Sequence, residues 1–246
     1  MKYLYETEDK SYSAFASGAV LYSLPGTSAF PIRLISELFQ YCYEYLSKND
    51  GKTDKVTIYD PCCGSAYHLA ALGFLHPGKI EKIICSDIDR DILPIANNNL
   101  NLLSQEGIDN RITGIETMFA KYGKESHKQA LENAHRLKKL LGDNQIATTC
   151  HQENILSETA FTKLKREKID IIFADIPYGN LISWKGNETG KDEVWLLLDH
   201  LLKFIGPKSL VVIASNKKQK VEHDKYSCIK RIKSGKRKSV ILKIVK

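Results

Sequence analysis

Seven residues, Asp60-Pro61-Cys62-Cys63-Gly64-Ser65-Ala66, separate a β-branched apolar run from a helical one. Val56-Thr57-Ile58-Tyr59 leads in as a strand, and Leu69, Leu72, Gly73 and Leu75 lead out at helical spacing. Strand, tight turn and helix in this order form one step of a parallel α/β sheet. In that geometry a backbone comes close to a nucleotide-like ligand at a helix N-terminus. Gly64 suits the turn because it has no Cβ to exclude a ligand or a positive φ.

One βαβ step later, Glu81-Lys82-Ile83-Ile84-Cys85-Ser86 reads as a second strand with Asp87 at its tip. In a parallel sheet Asp87 lies beside the first turn, where a carboxylate can accept hydrogen bonds from both hydroxyls of a ribose. The turn is poorly built for a pyrophosphate. Cys62 and Ala66 occupy the places where further glycines are expected, and the Asp60 carboxylate suits an ammonium group instead. A ligand that joins an ammonium, a ribose and an adenine is S-adenosylmethionine (SAM).

With 246 residues the chain can bury a full core, and one α/β domain over 1–246 is the natural count. No run of 18 apolar residues exists, so no membrane span is expected. Met1-Lys2-Tyr3-Leu4-Tyr5-Glu6 lacks the apolar core of a signal peptide, which points to the cytoplasm. The six cysteines include no C-x-x-C pair, so no zinc or other metal site is expected and the reading is buried thiols in a reducing compartment. The net charge of +7 fits a polyanionic partner, although an excess of lysine is a weak guide by itself.

Along the chain, residues 1–27 read as an irregular arm with turn signals at Phe15-Ala16-Ser17-Gly18 and Pro25-Gly26. A helix from Ser28 to about Ser47 follows, so 1–50 is arm plus helix. Arg33 has two readings. It can pair with Glu37 at i, i+4 on the helix surface, or it can reach a substrate phosphate. Asp89 is the N-cap expected for a helix from Arg90 to Ser104, and residues 111–142 read as a two-helix insertion. Its basic residues Lys121, Lys124, Lys128, Arg136, Lys138 and Lys139 are either a docking face or a solvated one. Strand three, Ile146 to His151, delivers Glu153 and Asn154 where an adenine would lie, and Ser157 is expected to cap a helix.

Strand four, Ile169 to Ala174, is almost wholly apolar, as a strand buried on both faces should be. It ends in Asp175-Ile176-Pro177-Tyr178. The Asp175 carboxylate and the Ile176 carbonyl can accept from base N–H groups, Pro177 fixes the turn, and Tyr178 offers a stacking face. A polar loop, Asn180 to Gly190 with Trp184, reads as a lid. After a helix over 191–204 and strand five, Ser209 to Ala214, two strands joined by Ser234-Gly235-Lys236-Arg237 form an antiparallel hairpin. Lys217, Lys218, Lys220, Lys236, Arg237 and Lys238 are candidate phosphate contacts.

D-P-C-C-G-S and D-I-P-Y together resemble the cofactor and [N/D]-P-P-[Y/F] motifs of class I SAM-dependent methyltransferases that modify nucleic-acid bases, with Ile176 in place of the usual first proline. The closer resemblance is to AviRa-type avilamycin-resistance 23S rRNA guanine methyltransferases. It is carried by Phe15-Ala16-Ser17-Gly18, Pro25-Gly26, Phe30-Pro31-Ile32-Arg33-Leu34, the central turn, Ser86-Asp87, D-I-P-Y-G and the basic hairpin. The resemblance implies an α/β, Rossmann-like fold with a mostly parallel seven-stranded sheet, a C-terminal antiparallel hairpin and a two-helix insertion.

It also implies methylation of a guanine in 23S rRNA, at ring nitrogen N1, on rRNA or the large ribosomal subunit, and leaves room for resistance to a ribosome-targeting antibiotic without implying it; a monomer is expected. The cofactor set is then Asp60, Cys62, Gly64, Ser65, Asp87, Glu153 and Asp175, with the SAM carboxylate near the N–H groups of Gly64 and Ser65. The catalytic set is Asp175, Pro177 and Tyr178. Substrate contacts are Arg33, Tyr178, Trp184, Lys217, Lys218, Lys236 and Arg237. Two alternatives stay open: methylation of an exocyclic amine in another RNA or DNA, and a non-catalytic RNA-binding protein.

Overall fold

The structure is a computed structural model that describes residues 3–16, 18–23, 30–52, 54–164, 167–177, 184–187 and 189–245. Five parallel strands run β1 (Val56–Asp60), β2 (Ile80–Asp87), β3 (Ala147–Gln152), β4 (Ile171–Asp175) and β5 (Leu210–Asn216). The hairpin β6 (Tyr226–Ser234) and β7 (Arg237–Ile244) completes the sheet in the order β3-β2-β1-β4-β5-β7-β6. β7 inserts antiparallel to β5, with Asn216 opposite Arg237. This is the seven-stranded sheet expected from the sequence.

Side chains alternate between two cores, as the period of a strand dictates. Ile58, Ile83, Ile171, Phe173 and Val212 point to a face covered by α1 (Ile32–Asp50), α2 (Tyr67–Leu75) and α3 (Leu93–Asn101). Tyr59, Ile84, Ile172, Ala174 and Ile213 point to the other, covered by α6 (Glu193–Leu201) and the stretch around Phe161 and Leu164. Because both faces are covered, β1 is buried at every position. The chain winds outward from β1 to β2 and β3, then returns to β4 on the other side. The β1–β4 boundary is therefore the switch point of the sheet, where α/β proteins bind ligands.

The insertion starts earlier than its periodicity suggests. α4 (Gln105–Tyr122) begins at 105 because the Ser104 side chain accepts from Gly107 N–H at 3.0 Å. α5 (Glu125–Leu141) packs back on it through Ala130, Ala134 and Leu137. Arg111 donates to the carbonyls of Val20 (2.9 Å) and Ala19 (3.0 Å), so the insertion holds the arm. The expected helix at Ser157 does not form. Ser157 closes a turn on Thr159 N–H instead, and a short 3-10 turn, Thr162–Leu164, follows.

The expected pairing of Arg33 with Glu37 is replaced by separate bonds from each to the arm. Glu37 accepts from the N–H groups of Leu4 (2.7 Å), Tyr5 (2.8 Å) and Glu6 (2.9 Å). Arg33 donates through Nη2 to the Glu6 carbonyl at 2.7 Å. An extended arm leaves consecutive amides without partners, and a carboxylate one helix away satisfies three of them. No helix among the described residues is long and apolar enough to cross a membrane.

Candidate active site

Asp60, Asp87 and Asp175 end β1, β2 and β4, so parallel pairing brings all three to one edge of the sheet. The central turn is wired largely to itself. Asp60 Oδ1 accepts from Cys62 N–H at 2.8 Å, Cys63 N–H donates to the Ser86 carbonyl at 3.0 Å, and Gly64 N–H donates to Asp87 Oδ2 at 2.8 Å. Gly64 has φ +53°, the left-handed region, so its lack of a side chain serves the turn's backbone. Ser65 presents its carbonyl to Asn99 Nδ2 at 2.8 Å. The Gly64 N–H expected to face a cofactor carboxylate is therefore already committed to Asp87.

Asp60 differs from expectation in a second way. It is wholly buried, and its Oδ2 lies 2.6 Å from His68 Nε2. A carboxylate with no exposure and two internal partners positions the turn. His68 carries no motif of its own in the sequence, although its place in the first turn of α2, eight residues on, aims its side chain back toward the strand end. Asn99 is likewise a buried hub. It accepts from Tyr22 N–H (2.8 Å) and donates to the Tyr22 carbonyl (2.9 Å) as well as to Ser65, clamping the arm to the turn.

Asp87 accepts Asp89 N–H on its other oxygen at 3.0 Å. Burial pushes its carboxyl above the usual range, against the pull of these two backbone donors. Glu153 stands beside it, with its N–H on the Asp87 carbonyl at 3.0 Å. These groups form the part of the site suited to a ribose and an adenine. The segment 184–187 lies against the same part. Lys185 Nζ is 3.0 Å from Asp89 Oδ2, and Asn154 Nδ2 donates to the Gly186 carbonyl at 3.2 Å. Trp184, read as a substrate contact, directly precedes these residues and packs against the core cluster around Tyr59 and Ile84. Its Nε1 is buried with no hydrogen-bond partner among the described residues.

The other half of the site forms around Asp175. Arg237 Nη2 lies 3.3 Å from Asp175 Oδ2, and its guanidinium sits 5.0 Å from the Phe30 ring centroid. Phe30, His68 and Asp175 line one small cavity at the ends of β4 and β5. Asp175 Oδ1 is buried with no hydrogen-bond partner among the described residues. Burial raises the Asp175 carboxyl to about 6, with Arg237 and His68 pulling the other way. A carboxyl held there is ionised at neutral pH and has one oxygen free to accept a proton or an N–H.

Lys217, Lys218, Lys220 and Lys236 lie at the same edge, and Lys217 N–H donates to the Lys236 carbonyl at 3.2 Å. Arg33 is not brought to this group, since its partners are in the arm. Pro177 directly follows the Asp175-Ile176 strand end. Tyr178 and the first part of the loop, to residue 183, lie outside the described residues, as do Ser17 and Pro25-Gly26.

The family model for rRNA methyltransferase AviRa matches residues 1–237. A 23S rRNA (guanine(2535)-N(1))-methyltransferase from Streptomyces viridochromogenes is 32% identical over 98% of this chain and 95% of its own length. A solved structure of rRNA methyltransferase AviRa from the same organism superposes with a TM-score of 0.87 at 30% identity, over 98% of this chain and 96% of that one. A putative RNA methyltransferase from Pyrococcus horikoshii shares the fold at TM-score 0.52 and 11% identity, covering 92% of this chain and 94% of that one.

Proposed function

The chain belongs to the AviRa family of rRNA methyltransferases, and we propose that it methylates ring nitrogen N1 of a guanine in 23S rRNA. Its methyl donor is S-adenosylmethionine. The residues present fit that cofactor: a left-handed glycine turn, a strand-tip carboxylate at Asp87, and Glu153 bonded to the Asp87 carbonyl. Bound there, the cofactor supplies a methyl group already activated on a sulfonium, so the protein's task is mainly to position and to move one proton.

The observation that carries the reading is the buried Oδ1 of Asp175 beside Arg237, without a partner among the described residues. A guanine presents N1–H and the exocyclic N–H groups along one edge, and a carboxylate is the matching acceptor. Asp175 accepts the N1 proton that an N1-methyl product requires the base to lose. Arg237 holds the second carboxylate oxygen and keeps the side chain aimed. Tyr178 supplies the stacking face, worth ~1–3 kcal/mol for one base. Lys217, Lys218 and Lys236 engage phosphates. Asp60, Cys62 and His68 keep the cofactor turn in shape.

In this reading the protein acts in the cytoplasm as a single-domain monomer on 23S rRNA or the large subunit. Transfer of a labelled methyl group to 23S rRNA, with nucleoside mass spectrometry of the product, tests it. N1-methylguanosine is the expected product. A methyl group on an exocyclic amine, or RNA binding without transfer, would overturn it. Reduced sensitivity to a ribosome-targeting antibiotic on expression is the expected cellular outcome.

A further inference from the structure

Three cysteines that are far apart in the sequence meet behind the cofactor turn. The sulfurs of Cys63, Cys85 and Cys150 all lie within 4.8 Å of one another. Cys63 belongs to the turn, while Cys85 and Cys150 are direct cross-strand partners on β2 and β3. Cys63 and Cys85 are buried and Cys150 is half-buried. All three are free thiols.

We propose that Cys63, Cys85 and Cys150 form a three-sulfur binding site for one soft, thiophilic d10 cation. Such a cation takes thiolates at about 2.3 Å, which in a trigonal arrangement sets sulfur–sulfur distances of roughly 4 Å. The cluster therefore needs to contract by less than ~1 Å, with two of its sulfurs fixed by strand register. No histidine, aspartate, glutamate or fourth cysteine among the described residues joins the group as a ligand, so the donor set favours an ion that accepts three sulfurs. The absence of C-x-x-C spacing hides this group from sequence reading, because the sheet supplies the proximity.

Cadmium(II) is the probe, added to the full-length protein under anaerobic conditions with a non-thiol reductant. The expected result is one equivalent bound, with a thiolate-to-metal charge-transfer band in the ultraviolet. Cys150→Ser and Cys85→Ser should each weaken binding at least 100-fold, while Cys228→Ser, at an exposed site outside the cluster, leaves it unchanged. X-ray absorption at the cadmium edge of the wild-type complex should count three sulfur neighbours, whether or not a variant folds. A shell of oxygen or nitrogen, no charge-transfer band, or a band that survives in folded Cys150→Ser protein would overturn the site.

Discussion

Arg237 reaches Asp175 across the line where the parallel strands give way to the antiparallel hairpin, with Nη2 and Oδ2 3.3 Å apart. The pair leaves Asp175 Oδ1 without a partner among the described residues, while the guanidinium counteracts the burial that raises the carboxyl. Arg237→Gln should therefore move the acidic limb of the pH–rate profile above its wild-type midpoint of about 6. It should also slow single-turnover methyl transfer by roughly 10–100-fold through lost aim. Profiles of wild type and variant between pH 5 and 8 decide it, and an unshifted limb would detach Arg237 from the reacting carboxylate.

Asp175→Asn should separate activity from stability. The amide cannot take the N1 proton, so transfer should fall on the order of 10²–10⁴-fold while SAM affinity changes little. Stability should move the other way. The folded carboxyl sits near 6, against 3.8 as the reference, so the native state holds the proton more tightly. Folding stability from this group is then greatest below pH 4 and declines as pH rises through 6. At pH 7.5 the variant is relieved of a buried charge worth at most ~3 kcal/mol, with the broken Arg237 ion pair offsetting part of it. Urea denaturation at pH 7.5 should show a gain of ~1–2 kcal/mol, and a loss would contradict this account.

His68→Ala should act on the cofactor turn through Asp60, and it also opens the Asp175 cavity and removes one of the groups that lower the Asp175 carboxyl. It removes the partner of a carboxylate that is wholly buried, leaving Asp60 Oδ2 unsatisfied. The expected destabilisation is ~2–4 kcal/mol, larger than for an ordinary broken hydrogen bond. SAM binding by calorimetry should weaken with it, because Asp60 also holds Cys62 N–H. His68→Gln, which can still donate to the carboxylate, should recover a large part of both.

Neutralising the lysines proposed to engage phosphates has an effect readable through salt. Replacing Lys217, Lys218 and Lys236 with glutamine should lower RNA affinity and flatten the plot of log K against log salt by about 0.7–0.9 for each phosphate no longer engaged. SAM affinity should stay within about twofold. Identical salt slopes for wild type and variant would mean these side chains only solvate the surface.

The strands and the hairpin are legible because each announces itself locally. Ile171 to Ala174 is continuously apolar, and Ser234-Gly235 interrupts two alternating runs. Asp60, Asp87 and Asp175 are legible as strand-end acids, and topology alone brings them to one edge. What stays hidden depends on partners distant in the chain. Glu37 serves amides more than 30 positions away, so the i, i+4 spacing with Arg33 points to the wrong neighbour. Asn99 looks like one of three equivalent asparagines, yet only the fold puts it between Tyr22 and Ser65. The bonds of Lys185 to Asp89 and of Asn154 to the Gly186 carbonyl are equally invisible in the sequence, because their partners lie 96 and 32 positions apart.

The two halves of the site also differ in how far along the chain their bonds reach. Gly64 and Asp87, which shape the cofactor turn, are 23 positions apart, and Asp175 and Arg237 are 62 apart. Closing the longer loop carries the larger entropy and waits for the hairpin to dock against β5. During refolding, the capacity to bind cofactor should therefore return before the capacity to grip a base. A chain caught between the two stages would hold its methyl donor beside an Asp175 that still lacked the arginine that aims it.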